Sequence, residues 1–295
     1  MSQDWIQFIN TGVVPIGLML IMFSLGLTLA LKDFVLVARS PLLVGAGFAT
    51  HLFVLPLLGL AIGVVFRLSP EIALGLFIVS LCPAGTTSNA LTFVGRGNVA
   101  LAVVLTALTS LVTVFTIPLI LSCALPWFLT GGGREVPTLS VPSVILQLVR
   151  ITLLPIVAGM IVKHFRPDLA ARLARWLRPT AFVILIVVIG FSVIVSLEMV
   201  LDNLVRATPA ILALNLAAMA FGLLLGRLLG ANARDTMTLA IETGVQNVTL
   251  AIFLTLTVLG SLPLAVTQNI YGVVMILNAG LLIRWWRGRI AAEAP

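Results

Sequence analysis

The sequence contains very little charge. Only 9% of its 295 residues are Asp, Glu, Lys or Arg, whereas 60% are hydrophobic. A soluble domain carries about 25% charged residues, so this composition excludes a water-soluble fold. It indicates instead a protein that lies within a lipid bilayer along most of its length.

Histidine and cysteine are also scarce, with two residues of each. Cys82 and Cys123 are isolated, so neither a disulfide framework nor a zinc or copper site is expected. The sequence has no P-loop, no dinucleotide fingerprint and no nucleophile–base–acid set, and therefore predicts neither an enzyme nor a cofactor. The 17 basic residues form no stripe with interleaved aromatics, so no nucleic-acid partner is expected either.

What the chain does have is a series of long apolar stretches. Crossing the hydrocarbon core of a bilayer takes about 20 apolar residues. Stretches of this kind predict an all-α, polytopic transmembrane protein that forms a single unit over residues 1–295. The nine predicted spans cover about 11–31, 42–66, 72–94, 99–124, 142–163, 180–200, 209–229, 236–258 and 264–284.

The connections between these spans differ in their content of basic residues. Thirteen of the 17 Lys and Arg residues fall on one side and three on the other, with Arg150 inside the fifth span. Because basic connections stay in the cytoplasm, the asymmetry predicts an N-terminus outside the cell and a cytoplasmic C-terminus.

The third and eighth spans are each interrupted by small and polar residues, at 82–89 and at 242–247. Pro83 lacks an N–H donor, and Gly85 lowers the free-energy cost of unwinding. The two spans run in opposite directions, which is typical of an inverted-repeat transporter with its binding site at mid-membrane depth. The alternative interpretation is that the small residues only allow close helix packing.

Glu242 carries the only charge within residues 236–256. A carboxylate at this depth costs about 2.5–3.5 kcal/mol on insertion scales, so it is expected to line a cavity or to pair with a cation. Further oxygen atoms can come from the side chains of Ser88, Asn89, Thr106 and Gln246 and, if the helix opens, from the carbonyls of Thr243 and Val245. Such a set suits a hard monovalent cation such as sodium.

Residues 82–106 (CPAGTTSNALTFVGRGNVALAVVLT) and 241–247 (IETGVQN) resemble the two signature segments of the bile acid:sodium symporter family. The chain looks like a nine-helix bacterial member, which implies the inner membrane. The resemblance also implies two inverted repeats, with spans 3 and 8 as crossing helices. It implies a core domain, over about 42–124 and 209–284, and a panel domain, over about 11–31 and 142–200.

The resemblance implies two sodium sites that share one carboxylate. The first would use Ser88, Asn89, Thr106 and Glu242, and the second Glu242, Thr243, Val245 and Gln246. The chain departs from the family pattern at two positions. Ala102 replaces a further hydroxyl of the first site, and His51 replaces a glutamine of the second. His51 has two interpretations, a residue that couples protons or a neutral polar residue in a packed helix.

The same resemblance implies an organic anion bound between core and panel. Asn247, Asn269 and Gln268 are candidates to line that cavity, together with the backbone of Thr86 and Thr87, although interhelical packing would explain each of them as well. The predicted function is a sodium-coupled symporter that imports small organic anions, either of bile-acid type or simple carboxylates. A proton-coupled or exchange carrier on the same fold is the first alternative. A receptor or channel is the second, and it is disfavoured because the polar residues cluster at one depth.

Overall fold

The computed structural model describes residues 9–35, 39–129 and 139–292, and helices make up nearly all of these ranges. In chain order they are α1 (Val14–Thr28), α2 (Pro41–Val65), α3 (Pro70–Leu81), α4 (Thr86–Val94), α5 (Val99–Leu129), α6 (Val141–Phe165), α7 (Pro167–Val195), α8 (Leu197–Leu228), α9 (Ala233–Gly244), α10 (Val248–Val258) and α11 (Leu262–Ala292).

Seven of the described helices are long and apolar enough to cross a membrane: α1, with the π-helical turn before it, α2, α5, α6, α7, α8 and α11. The two remaining predicted spans, 72–94 and 236–258, each consist of two shorter helices. They are α3 followed by α4, and α9 followed by α10. The polar segments in the third and eighth spans therefore do end helices. The count of nine membrane crossings stays a prediction.

Three helices contain a wide π-helical turn just before an X-Pro pair. The turns are Ile9–Val13, Thr50–Val54 and Val149–Leu153, and the prolines that follow are Pro15, Pro56 and Pro155. Proline has no N–H for the carbonyl one turn earlier, and its ring crowds that carbonyl. A local widening of the turn relieves both problems without ending the helix. His51 lies in one of these turns.

The boundary between the sixth and seventh spans differs from the sequence prediction. Residues 201–208, predicted as a connection, are helical, and the break lies instead at Ser196. Residues 167–178 are also helical rather than a loop, since their Ala, Leu and Arg residues are strong helix formers. The apolar stretches locate the membrane-crossing parts, but a helix can extend well beyond the hydrocarbon layer.

α1 packs against both α6 and α7. A Cβ atom on Gly26 would lie 2.1 Å from the carbonyl oxygen of Ile156, and one on Gly159 would lie 2.5 Å from that of Phe23. Only glycine permits this approach of two backbones. Near one end of the pair, Lys163 donates a hydrogen bond to the carbonyl of Thr28.

A second group of contacts joins α2, α3, α5, α8, α9 and α11. Within it, the turn after α4 is tied to the beginning of α9. The Nδ2 of Asn98 donates to Asp235 Oδ1 at 2.7 Å, and its backbone N–H donates to Thr238 Oγ1 at 2.8 Å. Trp286 on α11 donates from Nε1 to the carbonyl of Ala233 at 2.9 Å. The N-terminal end of α9 is thus fixed both to the turn after α4 and to α11.

Candidate functional site: the crossing of two broken helices

The two helix breaks meet each other through their backbones. The N–H of Gly85 donates to the carbonyl of Val245 at 3.1 Å, and the N–H of Asn247 donates to the carbonyl of Pro83 at 2.9 Å. These two bonds flank an isolated antiparallel bridge between Ala84 and Gln246. Backbone groups that leave a helix inside a membrane must find new partners within the protein. Here each break supplies partners for the other.

Glycine is required where the two helix breaks cross. A Cβ atom on Gly85 would lie 2.9 Å from the carbonyl oxygen of Gln246. Pro83 lies two residues before Gly85 and has no backbone N–H to donate, so the helix that ends at Leu81 is not continued. The Pro-Ala-Gly sequence therefore both ends α3 and allows the backbone of the second helix break to approach.

The second break is held open by side-chain hydrogen bonds. The carbonyl of Gly244, at the end of α9, accepts from Asn215 Nδ2 at 2.7 Å and from Tyr271 Oη at 3.0 Å. Asn247 caps the next helix, because its Oδ1 accepts from the N–H of Leu250 at 3.0 Å. Asn is among the best residues at this position. The three side chains that make these bonds, those of Asn215, Tyr271 and Asn247, are all buried.

Glu242 lies one turn before the second break and is fully buried. The hydroxyl of Ser88 donates to its Oε1, and Thr106 Oγ1 lies 2.9 Å from its Oε2. Thr106 Oγ1 is also 3.3 Å from Asn89 Oδ1. The structure thus brings together Ser88, Asn89, Thr106 and Glu242 from α4, α5 and α9.

This cluster, called here the oxygen cluster (Ser88, Asn89, Thr106 and Glu242), has fewer hydroxyl hydrogens than acceptor oxygens in contact with its two hydroxyls. Ser88 Oγ contacts Glu242 Oε1 and lies 2.6 Å from the carbonyl of Gly85, yet a hydroxyl donates one hydrogen. Thr106 likewise has one hydrogen for the carboxylate and the Asn89 oxygen. A cation among these oxygens would satisfy the acceptors that the two hydroxyls cannot, so a sodium ion fits the residues present.

Ala102 lies one turn before Thr106 on α5 and is fully buried. Its methyl group supplies no oxygen. The departure from the family pattern therefore reduces the number of possible ligands without inserting a charge or leaving a polar group unpaired.

The other four residues predicted for cation binding are arranged differently. The hydroxyl of Thr243 donates away from the oxygen cluster, to backbone carbonyls that include that of Ala218 at 2.9 Å. The carbonyl of Thr243 accepts from Gln246 Nε2 at 2.6 Å. The carbonyl of Val245 accepts from the N–H of Gly85. His51 Nε2 lies 3.1 Å from the carbonyl oxygen of Glu242. These four residues adjoin Glu242 through backbone atoms rather than through its carboxylate.

The residues predicted for substrate binding lie where α7 faces the crossing. Thr86 and Thr87 begin α4 and are partly exposed. Asn247 Nδ2 is buried without a hydrogen-bond partner. Asn269 Nδ2 donates to Ser196 Oγ at 3.3 Å, while its Oδ1 has no partner. Buried polar groups left unpaired cost about 1–3 kcal/mol each, so these atoms are candidates to bind a polar ligand.

Gln268, in contrast, points elsewhere: its Nε2 donates to the carbonyl of Gly75 at 3.2 Å, which joins α11 to α3. Two residues that the sequence analysis did not single out face the same region as Asn269. Ser192 is buried on α7 and Ser196 is buried at the break directly after it, and Ser192 Oγ has no partner. Their spacing of four residues in an apolar span is a signal that could have identified them, because such a pair shares one helix face.

Comparison with known proteins agrees with the geometry of the crossing. The model of the sodium bile acid symporter family matches residues 15–203. The chain belongs to this family. The chain is therefore a multi-pass membrane protein of a sodium symporter family.

Relatives from three kinds of organism extend the match over most of the chain. It is 29% identical to a probable chloroplast sodium/metabolite cotransporter of Oryza sativa over 98% of this chain and 67% of that protein. It is 30% identical to a sodium-dependent transporter of Bacillus subtilis, over 95% and 84%. It is 26% identical to the human ileal sodium/bile acid cotransporter, over 82% and 68%.

Proposed function

We propose that this chain is a symporter that uses a sodium gradient to import small organic anions. The observation that carries the proposal is the oxygen cluster, in which a buried carboxylate is shared between two broken helices. Sodium bound there neutralises Glu242, which is otherwise costly at this depth. It also joins α4 and α5 to α9, so the shape of the crossing depends on the ion.

The anion is proposed to bind beside the crossing, where Asn247 Nδ2 and Ser192 Oγ have no hydrogen-bond partner. The N–H groups at the beginning of α4, at Thr86 and Thr87, face no intrahelical partner and favour negative charge. Neutral donors of this kind suit carboxylates. Because sodium organises the same backbone segments, ion and anion bind with positive coupling, which symport requires.

Alternating access is proposed to move one domain against another. The panel comprises the spans at about 11–31 and 142–200, and the core those at about 42–124 and 209–284. The contacts of α1 with α6 and α7, and the separate contacts among the remaining long helices, support this division. The proposed orientation places the N-terminus outside and the C-terminus in the cytoplasm of a bacterial inner membrane.

The test is uptake by purified protein in proteoliposomes. A bile acid and small hydroxy- and keto-carboxylates are offered under an inward sodium gradient, an inward proton gradient, or neither. We expect at least one carboxylate to accumulate with sodium alone. Accumulation driven by protons alone would support the proton-coupled alternative and contradict the sodium proposal.

The matched variants are Glu242→Gln and Glu198→Gln. The first keeps the shape of the side chain but removes the charge at the oxygen cluster, so sodium-dependent uptake should fall at least about tenfold, equivalent to ~1.4 kcal/mol. The second alters an exposed carboxylate near the beginning of α8 and should leave uptake unchanged. Wild-type sodium dependence in Glu242→Gln would show that the proposed site is wrong.

A further inference from the structure

The two sides of Glu242 differ in the balance of hydrogen-bond donors and acceptors. Its carboxylate lies in the oxygen cluster, where two hydroxyl hydrogens face a larger number of acceptor oxygens. Its backbone carbonyl lies on the other side, in a group called here the donor-filled side (His51, Thr243, Val245 and Gln246). A cation needs oxygen atoms with free lone pairs, so the two sides are not equivalent sites.

On the donor-filled side, N–H groups already contact the freed carbonyls. Gln246 Nε2 lies 2.6 Å from the oxygen of Thr243, and the N–H of Gly85 lies 3.1 Å from that of Val245. His51 Nε2 lies 3.1 Å from the oxygen of Glu242. One atom in the group, Gln246 Oε1, is buried without a partner. Sodium would therefore meet one oxygen that has no donor, while each of the three carbonyls already has an N–H beside it that competes for its lone pairs.

The hydrogen on His51 is assigned from the needs of its two neighbours. Nδ1 faces the carbonyl of Gly47 at 3.1 Å, and that carbonyl already accepts from the N–H of Thr50 within α2. The carbonyl of Glu242 is among the last four of α9, and no backbone N–H of the described residues donates to it. Such a buried carbonyl requires a donor, whereas that of Gly47 already has one, so we assign the hydrogen to Nε2 and leave Nδ1 without one.

We propose that this chain binds a single sodium ion, at the oxygen cluster, and that the Nε2–H of His51 takes the place of a second ion. The inference rests on the proposed function and refines its ion stoichiometry. His51 is fully enclosed between α2 and α9, so its N–H stabilises the end of α9 permanently. A bound ion would stabilise it only while present. The carboxylate and its partners then remain the sole ion-dependent link in the crossing.

The experiment measures equilibrium binding of ²²Na⁺ to the purified full-length protein in detergent, with sodium as the only ligand. Thermal unfolding over a sodium titration gives the cooperativity independently. We expect about one ion per chain and a Hill coefficient of about 1 in the wild type. Two ions per chain would overturn the inference, and would mean that Nε2 presents a lone pair toward the Glu242 carbonyl. Absence of sodium binding would instead overturn the proposed function itself.

Two variants test the role of His51. His51→Gln replaces the fixed donor with an amide whose oxygen can turn toward the freed carbonyls, so stoichiometry should rise to about two ions and the Hill coefficient above 1. Thr50→Ser is the control: this neighbour is equally buried, its hydroxyl donates to the carbonyl of Ala46 within the same helix, and the variant should leave about one ion bound. A His51→Gln protein that still binds one ion would contradict the assigned role.

Gln246→Met provides a test that does not depend on how His51→Gln folds. It keeps the length of the side chain and removes both polar atoms, Oε1 and the Nε2 that donates to the Thr243 carbonyl. If the donor-filled side holds no ion, the number of bound ions stays at one and their affinity changes less than about twofold. Loss of sodium binding in this variant would show that Gln246 is a ligand and would overturn the inference.

Discussion

Single residues determine whether the oxygen cluster can hold an ion. Ser88, Thr106 and Glu242 are fully buried. Their side-chain oxygens contact one another, and the two hydroxyl hydrogens are too few to fill all the lone pairs of these oxygens. Their residue types predict sodium binding from the sequence, because hydroxyl and carboxylate oxygens suit that ion. Their proximity could not be derived from spacing, since they come from three helices.

Replacing Thr106 with valine tests the cluster at this scale. Valine keeps the shape but removes the oxygen 2.9 Å from the Glu242 carboxylate. We expect the sodium concentration for half-maximal thermal stabilisation to rise about tenfold, equivalent to ~1.4 kcal/mol. Thr109→Val is the control, because Thr109 is equally buried and bonds only to carbonyls of its own helix. Equal effects of the two substitutions would contradict a specific role for Thr106.

At the scale of the element, both broken helices depend on short sequences with a definite physical effect. Pro83 and Gly85 predicted the first break correctly, since one removes a donor and the other tolerates close approach. The second break has no proline, and Gly244 alone does not stop a helix. Asn215 and Tyr271, which bond to the Gly244 carbonyl, hold it open from α8 and α11. No local pattern could identify those partners.

Gly85→Ala tests the crossing of the two helix breaks. The added methyl group would lie 2.9 Å from the Gln246 carbonyl, so the backbone must shift at a cost of about 1–3 kcal/mol. We expect a lower melting temperature in detergent and weaker sodium binding. Gly190→Ala is the matched control, since nothing lies within 4 Å and alanine favours a helix interior by roughly 0.5–1 kcal/mol. That variant should be at least as stable as the wild type.

At the scale of the whole molecule, the proposed alternating access requires that α7 and α11 move relative to each other. They are in close contact: a Cβ atom on Gly272 would lie 2.6 Å from Cδ1 of Ile189. The Asn269–Ser196 hydrogen bond joins α11 to the break directly after α7. A covalent link across this contact should therefore stop the cycle.

The corresponding experiment introduces Ile189→Cys and Gly272→Cys after Cys82 and Cys123 have been replaced with alanine. Oxidation should abolish sodium-driven uptake, and a reductant should restore it. The control pair is Gly63→Cys with Ala73→Cys, whose Cβ atoms would be 3.5 Å apart between α2 and α3 within the proposed core. That distance suits a disulfide, for which the Cβ separation is about 3.5–4.5 Å. Unchanged uptake after oxidation of the first pair would contradict motion between core and panel.

The sequence by itself determined that this protein lies in a membrane, that two of its apolar spans are broken, and that Glu242 is the buried charge beside one break. It did so because composition, chain-breaking residues and apolar length act locally. Only the tertiary structure decided which atoms surround that charge. Ser88 and Thr106 lie at the carboxylate and His51 at the carbonyl, because helices far apart in sequence cross there. Their packing leaves acceptors free on one side of Glu242 and fills the other side with donors.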